Sequence, residues 1–180
     1  LKDSFWLTNP SFFRDKNRYA QSLAFMETEL LKSKEDFIIH FKQSYSDKYP
    51  PSWMLAEIIP LGVLSNLFIN IADKRLQKTI ARSFGLPAPV LASWLMALAN
   101  IRNLCCHHGR TWNRELPNIP TELKSPLYVW IDDTATDRRR IYYKICMIKY
   151  LLHSINPNNK LKERLVDLFL SYPSVDLRAM

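Results

Sequence analysis

Residues 102–114 read RNLCCHHGRTWNR, with two cysteines, two histidines and three arginines in thirteen positions. Three chemistries use such residues. Structural zinc needs ligand pairs such as C-x2-4-C and H-x3-5-H, because immediate neighbours do not converge on a tetrahedron. CCHH lacks that spacing, and only Cys146, His153 and His40 stand elsewhere to help, so no metal and no cofactor is expected. A cysteine nucleophile needs a base on its own face, but helical neighbours at i+1 and i+2 diverge. Cys105 is therefore expected to face the core as a small hydrophobe. The third chemistry takes Arg102, Asn103 and His107. Asn103 and His107 are i, i+4 and share a helix face. Arg102 lies about 140° from His107 on an ideal helix, and its long arm, or a second copy of the helix, must close that gap.

Arginine, amide and imidazole together suit RNA cleavage without a metal. A histidine takes the 2′-hydroxyl proton or protonates the leaving 5′-oxygen. An arginine neutralises charge building on the phosphate. The products then carry 2′,3′-cyclic phosphate or 3′-phosphate ends. Arg110, Trp112, Asn113 and Arg114 come next in the chain, giving cations and a stacking surface for single-stranded RNA. The competing reading is structural: basic residues collect at helix C-termini for the dipole, and Trp112 plugs the core.

The positioning elements are set by composition and period. The chain has 180 residues, 47% of them apolar, and only three glycines, which together with long 3.6-residue patterns predicts a single all-α domain. The net charge of +8 favours a polyanionic partner. Three cysteines without framework spacing predict reduced thiols and a cytoplasmic setting. The first residue is Leu, so a natural N-terminal portion is expected to be missing.

Helices are expected over 12–34, 35–49, 53–72, 73–86, 87–109, 137–155 and 160–172. The segment YPPS at 49–52 is a break, with Ser52 as N-cap of the next helix. Pro60 and Gly62 should kink or split the apolar 53–72 window, which reads as core and not as a membrane span because Glu57, Ser65, Asn66 and Asn70 interrupt it. Asp73 caps and Gly85 stops the next helix, and Gly109 is placed to stop the motif helix. Residues 110–131 read as a loop-rich insertion, with a short strand at LYVWI (127–131). TATD (134–137) resembles a capping box. Arg138, Arg139, Arg140, Lys144 and Lys149 form either an RNA track or a solvated helix face.

Two segments carry a resemblance to a known family. IRNLCCHHGRTWNR is similar to the signature of the Abi-like (abortive infection, AbiD/AbiF type) proteins. YPPSWMLAEIIPLGVLSNLF (49–68) is similar to their upstream region at Pro51, Trp53, Met54, Glu57, Gly62, Leu64 and Ser65, with Leu61 and Phe68 departing from the usual aromatic and Tyr. ASWLMALANIRN also fits, and the likeness spans about residues 45–130. The family resembles the HEPN superfamily, whose nucleases carry R-x4-6-H. The resemblance implies a helical bundle that dimerises through the motif helix into a composite cleft. It implies an endoribonuclease in phage defence or a growth-arresting toxin, held by a small RNA or protein antitoxin, with RNA and a second copy as partners and no membrane. Arg102, Asn103, His107 and His108 would be the site. Glu57 would orient Arg102 or a histidine, or else be an exposed face residue or a structural salt bridge. The alternatives left open are a non-catalytic RNA-binding or regulatory HEPN domain, a helical protein–protein module, and a substrate of a paired nucleotidyl-transferase.

Overall fold

The structure is a computed structural model that describes residues 3–132 and 135–177. Eight α-helices and two short 3-10 turns account for its regular structure, and no strand occurs among the described residues. The chain is all-α, as its periodicity predicts. It divides into two compact units, 1–77 and 78–180.

The first unit holds the 3-10 turns Trp6–Thr8 and Pro10–Phe12, then α1 (Lys16–Lys32), α2 (Asp36–Ser44), α3 (Ser52–Ile58) and α4 (Leu61–Asn70). Helix α1 starts later than the pattern at 12 suggests because Asp15 caps it, accepting from the Arg18 N–H at 2.9 Å. The residues before it are occupied otherwise. Phe13 pairs with Ile71 in an isolated antiparallel bridge. The buried Asn70 side chain grips Asp15, accepting its N–H at 2.9 Å and donating to its carbonyl at 2.8 Å. Leu7, Phe13, Tyr19, Met26, Ile38 and Leu55 centre the core.

The apolar 53–72 window is split, as Pro60 and Gly62 predict, into α3 and α4 with Pro60 at the junction. Ser52 is not the N-cap: it is the first helical residue, and its hydroxyl is turned to the Leu7 N–H at 3.0 Å. That bond ties the N-terminal turn to α3 and leaves the cap position to Pro51. Among the described residues no single helix is long and apolar enough to cross a membrane.

Helix α5 (Lys74–Ser83) contains the division between the units. The second unit continues with α6 (Ala88–Cys106), α7 (Ile141–Ile155) and α8 (Leu161–Ser171). Its core is aromatic. Trp94 is fully buried, 5.0 Å from the Trp130 ring and edge-on to Tyr150 at 5.6 Å. LYVWI is therefore not a strand. No neighbouring strand exists among the described residues to pair with it, and its Tyr128 and Trp130 rings pack on Tyr150 instead.

The 107–140 connection is held by side chains reaching loop carbonyls. Trp94 donates to Thr121, Lys144 to Asn118 and Arg138 to Pro120. Helix α7 begins at Ile141 and not at 137, since Asp137 turns back on the Arg139 N–H at 2.9 Å. The expected capping box depends on Thr134, which lies outside the described residues.

Candidate active site

Helix α6 is built from good helix formers between Pro87 and Cys106, and its last turn and a half bears the motif. Two helix ends in this unit use the same backbone device. At the end of α5, the Gly85 N–H bonds the Arg82 carbonyl and the Leu86 N–H bonds the Ala81 carbonyl, with Gly85 at φ 66°. At the end of α6, the His108 N–H bonds Cys105 and the Gly109 N–H bonds Leu104, with His108 at φ 52°. This arrangement needs a left-handed residue just past the helix, normally glycine. Gly85 fills that role as the sequence predicts. Gly109 does not: the helix stops earlier, and the left-handed residue is His108.

Gly109 has a different reason to be glycine. A Cβ there would lie 2.1 Å from Leu104 Cδ1 and 3.0 Å from the Leu104 carbonyl oxygen. The chain must pass close over the last turn, and His108 takes the strained conformation that brings it there.

Arg102, Asn103, His107 and His108 are all exposed on this end of α6. Arg102 Nη1 donates to Asn103 Oδ1 at 3.2 Å, so the guanidinium and amide form one polar unit although adjacent residues on a helix diverge. Neither imidazole bonds to that pair within one chain. His107 is the C-cap, its N–H bonded to the Asn103 carbonyl at 3.0 Å. Cys105 does not face the core: it is exposed, as is Cys106. The inward positions here belong to Ile101 and Leu104, which pack with Leu116, Ile141 and Ile145.

The chain after Gly109 stays beside the motif. Arg110 is exposed, and its carbonyl accepts from Arg114 Nη1 at 3.5 Å. Asn113 is left-handed at φ 46°, which its short amide tolerates. Its Oδ1 accepts from Arg140 Nη1 at 3.4 Å. Trp112 is half-buried, its ring 6.2 Å from that of Phe169 in α8. Arg139 reaches Glu115 at 3.7 Å and Arg140 reaches Asp137 at 3.7 Å, both on the surface. Arg139 and Arg140 therefore border the motif through Glu115 and Asn113, a juxtaposition that their distance in sequence conceals.

One expectation needs correction. Lys144 is not part of a cationic surface track. It is 1% exposed, and burial lowers its ammonium pKa to about 8. Lys149 is also engaged, its ammonium held by the Asn159 side chain at 2.9 Å. Glu57 lies exposed on α3 in the first unit.

Among the described residues, no group of three His, Cys, Asp or Glu is arranged to hold a metal ion. Comparison with known families gives a match to one, described as Abi-like protein, over residues 1–113. No curated protein and no solved structure matches. The family match ends at Asn113, just past the motif.

Proposed function

The chain belongs to the Abi-like family, whose function is of the abortive-infection type, and within that role we propose that it is a metal-independent endoribonuclease of the R-x4-H kind, built as a HEPN-like bundle. The observation that carries this reading is the exposed, paired Arg102 and Asn103 on the same helix end as two exposed histidines.

In this reading one imidazole removes the 2′-hydroxyl proton. The 2′-oxygen attacks phosphorus, the P–O5′ bond breaks, and an imidazolium returns a proton to the 5′-oxygen. Arg102 offsets the charge on the phosphorane, and Asn103 holds the guanidinium in place. Arg110, Trp112, Asn113 and Arg114 bind flanking nucleotides. The products are a 2′,3′-cyclic phosphate, or a 3′-phosphate after hydrolysis, and a 5′-hydroxyl. Within one chain no hydrogen bond joins Arg102 to either imidazole, so the reading includes a homodimer whose paired α6 ends complete one cleft. It also places the protein in the cytoplasm as a toxin restrained by a small RNA or protein antitoxin. Glu57 is not assigned a role in it.

That the Arg102 guanidinium bonds to Asn103 and to neither imidazole favours one second reading, an RNA-binding or regulatory domain without chemistry. Incubation of end-labelled single-stranded RNA with the protein in EDTA, with end-group analysis, separates them. Cyclic-phosphate ends that disappear in Arg102→Ala and in one histidine variant support the nuclease. RNA that is bound but stays intact selects the second reading. Neither binding nor cleavage leaves a helical protein–protein module.

A further inference from the structure

Helix α8 is the odd element of the second unit. It contains Leu161, Leu165, Val166, Leu168, Phe169 and Leu170, yet none of its residues is buried. Its 11 residues are too few for a stable isolated helix, since helices below about 12–15 residues are marginal in water. Between α7, α8 and the 127–131 segment runs a trough of about 780 Å³. Ligand pockets typically occupy about 300–1,000 Å³.

The trough is not uniformly apolar. Lys149 from α7 and Lys162 from α8 both line it, and no Asp or Glu does. On α7, Lys149 lies angularly between Tyr142 and Ile145, both trough-lining. On α8, Lys162 lies between Phe169 and Val166. One cation thus comes from each helix: Lys162 is exposed and has no ion pair among the described residues, and the Lys149 ammonium, held by the Asn159 side chain at 2.9 Å, still lines the trough. A carboxylate head group would meet two cations and no acidic side chain in this lining. His153, edge-on to Tyr128 at 4.7 Å, adds a third nitrogen group to the same lining.

We propose that the α7–α8 trough binds a free single-chain amphiphilic carboxylate. Its hydrocarbon chain lies against Val129, Ile131, Leu165 and Phe169, and its head group is held by Lys149 and Lys162. The apolar walls account for the chain and the paired lysines for the single acidic group. Binding gives α8 the buried partner that it lacks. The site lies in residues 127–169, outside the segment that matches the family, and the proposal does not depend on the nuclease reading.

The test is fluorescence titration of the full chain with dansyl-undecanoate below its micelle concentration, followed by displacement with decanoate and with decanol. Saturable binding at one site per chain is expected, with decanoate displacing the probe about tenfold better than decanol. Lys162→Gln is expected to weaken binding about tenfold. Val166→Trp, which fills the trough, should abolish it with the helical circular dichroism unchanged. Equal displacement by the alcohol, or no saturable binding, overturns the proposal. So does binding only to phosphatidylglycerol vesicles, which assigns the face to a membrane. A dimer in sedimentation that Val166→Trp dissociates overturns it too, by giving the trough to a second copy.

Discussion

His108 holds a backbone conformation that costs an L-residue with a Cβ about 1 kcal/mol or more. The matched helix end has glycine in the same turn, at Gly85, where a Cβ would also lie 2.9 Å from the Tyr128 ring. His108→Gly should therefore raise stability by about 1 kcal/mol, seen as a higher melting temperature. Gly109→Ala should lower it by about 1–3 kcal/mol, because Leu104 must give way. The glycine variant also assigns the histidines. Cleavage that survives in His108→Gly and vanishes in His107→Ala makes His107 the acid–base group; the reverse makes it His108. Arg102, His107 and His108 are exposed, so alanine at Arg102 or His107 should change stability by no more than about 0.5 kcal/mol. Any loss of activity is then a loss of chemistry or binding and not of fold.

At the scale of elements, the second unit hangs on a few buried polar contacts. The Tyr150 hydroxyl donates to the Gly85 carbonyl at 2.9 Å and accepts from the Leu127 N–H at 3.0 Å. It joins α7 to the end of α5 and to the aromatic segment. Tyr150→Phe leaves both backbone groups short of a partner and should cost about 1–3 kcal/mol in a urea titration. Lys144 imposes a pH dependence. Its pKa falls from 10.5 to about 8 on folding, so between those values the unfolded chain binds more protons than the folded one. Stability from this group therefore rises as pH increases from about 8 to 10.5, and its cost is fully present below about pH 8. The difference in urea midpoint between the parent protein and Lys144→Met should follow that slope. A flat difference across the range would show that the ammonium is not held in a low-dielectric site.

For the whole molecule, the net charge of +8 matters most if RNA is the partner. The logarithm of the RNA association constant should fall linearly with the logarithm of salt concentration. Removing one arginine that contacts a phosphate, Arg110 or Arg114, should flatten the slope by about 0.7 for a single strand. An unchanged slope places that arginine off the RNA path. The family match ends at residue 113, so α7 and α8 lie beyond it.

Periodicity, proline and glycine placement were enough to determine the all-α class, the split at Pro60, the stop at Gly85 and the motif on the last turns of a long helix. Those features are local: a missing N–H, a fixed φ or a repeated apolar face acts over a few residues wherever the chain later goes. Ser52, Cys105, Lys144, the LYVWI segment and the true left-handed residue at the end of α6 were decided by tertiary structure. Each depends on a partner distant in sequence or on space that a neighbour occupies: Leu7 for Ser52, Asn118 for Lys144, the Trp94–Tyr150 cluster for LYVWI, Leu104 beneath Gly109, and, for Cys105, the inward positions that Ile101 and Leu104 take against Leu116 and Ile141. The residues of the candidate site were legible because the motif is contiguous. How α6 ends, with His107 as its cap and His108 left-handed, depends on Leu104 beneath Gly109, and only the folded chain could supply that.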